Sequence, residues 1–128
     1  DIIMLRIFKS NHCETIVELI NSCNEAPSCC GEPMRELKAN TTDAAQEKHV
    51  PEVSVEGNLV KVKVGSVEHP MTEEHHIAFI YLETENGVTR KDLDHTGKPE
   101  AVFALAEGEK PVAVYEYCNL HGLWKKEL

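Results

Sequence analysis

The stretch Val112-Ala113-Val114-Tyr115-Glu116-Tyr117-Cys118-Asn119-Leu120-His121-Gly122-Leu123-Trp124 reads first as a strand and then as a turn built for metal. Val112 to Tyr117 is rich in β-branched and aromatic residues, which suit a pleated, half-buried surface. Cys118 and His121 follow at a two-residue spacing, so one tight turn can aim a thiolate and an imidazole at a single point, and both are good ligands for iron or zinc. Gly122 lets the chain bend closely past whatever the pair holds. A strand that delivers a ligand-bearing turn is the unit from which the rest of the chain is read.

Upstream of it, short β segments recur at roughly ten-residue spacing. Val53-Ser54-Val55-Glu56 alternates, Gly57-Asn58 is a turn, and Leu59-Val60-Lys61-Val62-Lys63-Val64 puts Val60, Val62 and Val64 on one face with Lys61 and Lys63 on the other. Ile77 to Thr84 is the next strand and Glu85-Asn86-Gly87 its hairpin turn. Val88-Thr89-Arg90 and Lys91-Asp92-Leu93 continue as weaker strands, and Ala101 to Leu105 leads through a turn at Gly108 into Val112 to Tyr117. With no convincing helix, the pattern predicts an all-β protein, an antiparallel β-sandwich over residues 47–128.

Residues 1–37 differ, holding four of the five cysteines, Cys13, Cys23, Cys29 and Cys30. Ile16, Leu19 and Ile20 fit a helix face, while Ile16-Val17-Glu18-Leu19 fits a short strand equally well. So small a segment buries little by itself and needs a metal or a partner chain. Residues 38–46, small and polar, read as a linker. The odd cysteine count and the adjacent Cys29-Cys30 suit metal binding better than a disulfide framework.

A formal net charge of −9 argues against nucleic acid and anionic membranes as partners. No apolar run approaches the ~18 residues of a membrane span, and no signal-peptide pattern opens the chain, so a cytoplasmic protein is expected.

Seven histidines are present, and a lone histidine is most often an ordinary surface or core residue; His12, His76 and His95 are read that way. His49, His69, His75 and His121 lie instead at strand ends or turns, where loops at one end of a sandwich can converge. Zinc is usually satisfied by four ligands, whereas four imidazoles and one thiolate suit a redox-active iron with a position left open.

Glu47-Lys48-His49-Val50-Pro51, Lys63-Val64-Gly65-Ser66-Val67-Glu68-His69-Pro70-Met71, His75, and Glu116-Tyr117-Cys118-Asn119-Leu120-His121-Gly122 with Trp124 together resemble the superoxide reductase family. Cys29-Cys30-Gly31-Glu32-Pro33-Met34 resembles its two-domain form, desulfoferrodoxin. The resemblance implies an immunoglobulin-like sandwich preceded by a small desulforedoxin-like domain, and a homodimer. It implies one catalytic iron with His49, His69, His75 and His121 in a plane and Cys118 axial, reducing superoxide to hydrogen peroxide with rubredoxin as electron donor. Lys48 matches the catalytic residue that draws in the anion, and Glu47 the one that caps the open position of ferric iron; without the family, the two read as a solvated pair. A non-catalytic iron electron-transfer or metal-binding module is the alternative reading.

The family's second iron lies in four cysteines of the N-terminal domain. Cys13, Cys29 and Cys30 match that pattern, but Ser10 stands at the first cysteine and Glu14 at the glycine. A serine hydroxyl is a harder and less acidic ligand than a thiol, so a second metal held by Ser10, Cys13, Cys29 and Cys30 is doubtful.

Overall fold

The computed structural model describes residues 5–128, which divide into two compact units, the first ending at Lys38 and the second running from Ala39 to Leu128.

The first unit is made of very short strands: β1 (Ile7–Lys9), β2 (Ile16–Glu18), β3 (Ser28–Cys29), β4 (Glu32–Pro33) and β5 (Arg35–Glu36). β1 lies between β2 and β5 in an antiparallel sheet, and β3 pairs with β4 as a separate hairpin. Ile16 to Glu18, which periodicity left open, is therefore strand. Cys29 pairs with Glu32 across a two-residue loop of Cys30 (φ 56°) and Gly31 (φ 82°). Positive φ at both loop positions is what a type I′ hairpin requires. Arg6 clamps Glu36 through two hydrogen bonds of 3.0 and 3.1 Å, holding the Glu36 carboxyl below its ordinary range.

The second unit opens with a helix not foreseen in the sequence, α1 (Gln46–His49), and continues with β6 (Pro51–Glu56), β7 (Leu59–Val64), β8 (Ile77–Thr84), β9 (Gly87–Asp92), β10 (Glu100–Ala104), β11 (Pro111–Cys118) and β12 (Gly122–Glu127). Two antiparallel sheets form, one in the order β10-β7-β6 and the other β12-β11-β8-β9. In β7 the alternation holds: Val60, Val62 and Val64 are buried while Lys61 and Lys63 are exposed. These valines meet Ile77, Ile80 and Leu82 of β8, Ala101 and Phe103 of β10 and Val114 of β11 in one core. Residues from both sheets share it, which is the sandwich expected from the pattern.

The segment read as a linker belongs to this unit by its hydrogen bonds. The Asn40 N–H donates to the Leu123 carbonyl, and the Asn40 side chain both accepts from and donates to the Lys125 backbone. Thr42 sits against Gly122, where a Cβ would lie 3.2 Å from its Oγ1; Gly122 also has φ 80°. The backbone angle favours glycine there, and a Cβ would also push the Thr42 hydroxyl aside by a few tenths of an ångström.

The register fixes which strand ends lie together. Pro51 pairs with Val64, so the start of β6 meets the end of β7. Cys118 pairs with both Ile77 and Gly122, so the end of β11 meets the starts of β8 and β12.

Candidate metal centre

Those strand ends carry the candidate ligands. His49 closes α1 just before β6, His69 and His75 lie on the β7–β8 connection, Cys118 ends β11, and His121 precedes β12. One potential ligand atom from each of His49, His75, Cys118 and His121 lies within 4.8 Å of every other. His49 Nε2 is 3.0 Å from His121 Nδ1, which is 3.9 Å from Cys118 Sγ. The His69 ring completes the group, with its centroid 4.8 Å from that of His49 and 4.6 Å from that of His75.

The backbone aims the rings. His49 Nδ1–H donates to the Ala45 carbonyl and His69 Nδ1–H to the Pro70 carbonyl, each at 2.7 Å. Each bond fixes the tautomer that leaves Nε2 a bare lone pair. The Nε2 atoms of His69 and His75 are buried without a hydrogen-bond partner. A buried polar atom without a partner costs about 1–3 kcal/mol, and a bound cation removes that cost.

Desolvation by burial lowers His49 and His75 from the ordinary imidazole range and holds His69 down to about 4. The rings are therefore neutral at physiological pH, the form that ligates. Burial pushes the Cys118 thiol up. Four imidazoles and one buried thiol fit iron by the chemistry of the donor set.

Two residues in this centre have roles that the spacing of ligands does not reveal. Trp124 is stacked on His49 with 4.9 Å between ring centroids, and its Nε1–H donates to the His121 carbonyl at 3.1 Å. Asn119 ties the Cys118–His121 turn to the neighbouring connection: its Oδ1 accepts the His76 N–H and its Nδ2 donates to the Glu74 carbonyl, both at 2.9 Å. Their place inside and just beyond the Cys-x-x-His motif was the only signal available.

Glu47 and Lys48 lie on α1 with exposed side chains. The Glu47 carbonyl accepts from Val67 N–H and Ser66 Oγ–H, and the Lys48 charge is close enough to contribute to the lowering of His49 and His75. His76 is not part of the group, its Nδ1–H being shared between the Thr72 and Glu73 carbonyls.

In the first unit, Cys13 Sγ is 3.9 Å from Cys29 Sγ, which is 3.7 Å from Cys30 Sγ. Ser10 Oγ accepts the N–H groups of His12 and Cys13 at 3.0 and 3.2 Å. The Thr15 hydroxyl, 3.2 Å from Cys13 Sγ, heads the contacts that bring Cys13 down to about 6. Cys23 is exposed and belongs to neither cluster.

Comparison with known proteins gives a consistent set of matches. The sequence model of the family described as desulfoferrodoxin matches residues 41–127. The chain is 46% identical over 123 residues to a desulfoferrodoxin of Syntrophotalea carbinolica, covering 96% of each chain. It is 41% identical over 99 residues to a superoxide reductase of Pyrococcus horikoshii, covering 64% of this chain and 86% of the relative. Among solved structures it is similar to the superoxide reductase from Treponema pallidum, with TM-score 0.83, 41% identity and coverage of 97% of this chain and 99% of the other.

Proposed function

From the premise that this chain belongs to the desulfoferrodoxin family and is a superoxide reductase, we propose that His49, His69, His75, His121 and Cys118 hold its iron. What supports this most is the grouping of four donors, His49, His75, Cys118 and His121, with the His69 ring beside them and the Nε2 atoms of His69 and His75 buried without another partner. Bound there, iron supplies the single electron by which superoxide, with two protons, becomes hydrogen peroxide.

The chain's residues set the conditions for that step. Carbonyl-anchored rings at His49 and His69 present their lone pairs without rotational search. Burial keeps those rings uncharged, so protons do not compete for the ligand atoms near neutral pH. Burial disfavours the free Cys118 thiolate, and a cation held beside it would stabilise that anion, the thiol proton being released to solvent. Lys48, exposed beside His49, supplies local positive charge on a chain of net charge −9 and draws in the small anion. Glu47, adjacent on the same exposed helix, closes the site between turnovers.

By the resemblance, residues 1–37 form the small N-terminal domain, 38–46 the linker and 47–128 the catalytic domain. The same resemblance assigns a homodimer with rubredoxin as donor, and the sequence reading of no membrane span and no signal-peptide pattern supports a cytoplasmic location. Net negative charge supports a protein that binds neither nucleic acid nor anionic membrane, and among the described residues no helix is long and apolar enough to cross a membrane.

Metal analysis and the optical spectrum test the ligand set. Stoichiometric iron with a thiolate-to-iron charge-transfer band is expected. Cys118→Ser should abolish the band and the activity, His75→Ala should empty the site, and His76→Ala should leave iron content near normal. A colourless zinc protein, or a site emptied by His76→Ala and not by His75→Ala, would overturn the assignment.

A further inference from the structure

The second cluster of reactive side chains falls one thiol short of the tetrathiolate set of its relatives' pattern. Ser10 Oγ is buried and already accepts two backbone N–H groups, so it serves as the lock of the Ser10–Cys13 turn. An iron tetrathiolate does not fit this donor set. What remains is three thiols in sulfur-to-sulfur contact, two of them, Cys13 and Cys30, exposed.

We propose that Cys13 and Cys29 form a peroxide-reactive dithiol that consumes hydrogen peroxide, the product of superoxide reduction. The source of the peroxide rests on the reductase reading; the thiol chemistry does not.

Three observations carry the assignment. Cys13 Sγ and Cys29 Sγ lie 3.9 Å apart, so bonding at about 2.05 Å asks only for a short approach of the two sulfurs. Cys13 is also the better placed nucleophile. The Thr15 hydroxyl is 3.2 Å from its sulfur, placed to donate to the thiolate and so to favour the form which attacks. Finally, Cys29 has Cys30 as its immediate chain neighbour in a two-residue hairpin loop, and a bond between adjacent residues would distort that loop, which leaves Cys13 as the unstrained partner.

The step balances without another reactant. Cys13 thiolate attacks one peroxide oxygen, the O–O bond breaks, and the departing hydroxide takes a proton to become water, leaving a sulfenic acid. Cys29 sulfur then attacks the Cys13 sulfur; the S–S bond forms, the S–O bond breaks and a second water leaves. Two thiols and one peroxide thus give one disulfide and two waters, with two electrons passing from sulfur to oxygen. A cellular dithiol reductant resets the pair by exchange.

Cys23, exposed and outside both clusters, is an internal control in the same molecule. The full-length, iron-loaded protein is treated with stoichiometric hydrogen peroxide, alkylated at timed intervals and mapped by mass spectrometry. The expected result is a Cys13–Cys29 cross-linked peptide and a mass loss of about 2 Da, formed at least ~10-fold faster than any modification of Cys23. In Cys29→Ser the sulfenic acid at Cys13 should persist and be captured by dimedone, while Cys13→Ser should stop the reaction and leave the superoxide rate unchanged. Oxidation of Cys13 and Cys23 at equal rates would overturn the proposal. So would a cross-link between any other pair, or a second metal ion that stays on the three cysteines and protects them. Because peroxide is added directly, failure of the reductase reading would show separately, as a missing superoxide reaction with an intact cross-link.

Discussion

Replacing Gly65 by alanine tests whether the short helix bearing His49 is placed by backbone contact. A Cβ on Gly65 would lie 2.6 Å from the Glu47 carbonyl oxygen, 3.0 Å from the Lys48 carbonyl carbon and 3.1 Å from the Val50 carbonyl oxygen. All three are backbone atoms, so no side chain can swing aside. Ordinary contact begins at 3.4 Å, and 3.4 less 2.6 leaves 0.8 Å that α1 or the Gly65 segment must give. The Glu47 carbonyl is also pinned by Val67 N–H and Ser66 Oγ–H, so the retreat strains those bonds and carries His49 and Lys48 with it. Overpacking of this kind costs about 1–3 kcal/mol, and each kcal/mol lowers Tm by about 4–8 °C in a unit of this size. A misplacement near 1 Å at a reacting centre costs roughly 10²-fold in rate. We therefore expect Gly65→Ala to lower Tm, to lose iron on dialysis against a mild chelator, and to cut the second-order rate with superoxide in pulse radiolysis by roughly ten- to a hundred-fold. A variant with Tm within about 1 °C of the parent, full iron and an unchanged rate would refute the reasoning.

Lys48→Ala should lower the superoxide rate by roughly three- to ten-fold at low salt and flatten its ionic-strength dependence, since added salt screens a steering charge over about 8–10 Å; an unchanged slope would make Lys48 an ordinary surface residue. Glu83→Gln should alter the pH dependence of stability. Burial raises the Glu83 carboxyl, while Tyr115 O–H donates to Oε1 at 3.3 Å and Oε2 has no partner. Below the ordinary carboxylate range both folded and unfolded chains hold the proton and Glu83 costs nothing; as pH rises the unfolded chain ionises first, so stability falls until the folded carboxyl also ionises. Glu83→Gln should therefore raise Tm at pH 7.5 and leave it unchanged near pH 4, and a variant without this difference in thermal melts would show that the carboxylate is compensated.

The strands were legible wherever one face is buried and the other wet. Leu59 to Val64 announces itself by strict alternation, and Ile77 to Thr84 is bounded in the structure as read, because Glu85-Asn86-Gly87 stops it. The candidate ligands that the structure groups, His49, His75, Cys118 and His121, were legible because each follows or precedes such a strand. Gln46 to His49 was not, since four residues hold barely one turn and no hydrophobic period. β12 was missed for a different reason: Lys125, Lys126 and Glu127 at its exposed end mask the buried Leu123 and Trp124. The three-residue strands β1 and β2 are too short to display a period of two. Glu83 and Glu116 are buried although their side chains are carboxyls, and strand periodicity assigns a face without saying how deeply that face is covered.

The proposed ligands sit on α1 (His49), at the end of β11 (Cys118) and on the connections at the same strand ends (His69, His75, His121), whereas the apolar core of Val60, Val62, Ile80, Leu82, Phe103 and Val114 lies along the strands themselves. They are spread from residue 49 to residue 121, so in an unfolded chain only Cys118 and His121 lie within a turn's reach of each other, and the full set assembles with the fold. Folding must come first and metallation second, the reverse of small zinc modules in which the metal drives folding. A cell short of iron would accordingly accumulate this protein as a folded, dormant pool. Its capacity to clear superoxide could then be restored by the supply of metal alone, without the delay of new synthesis.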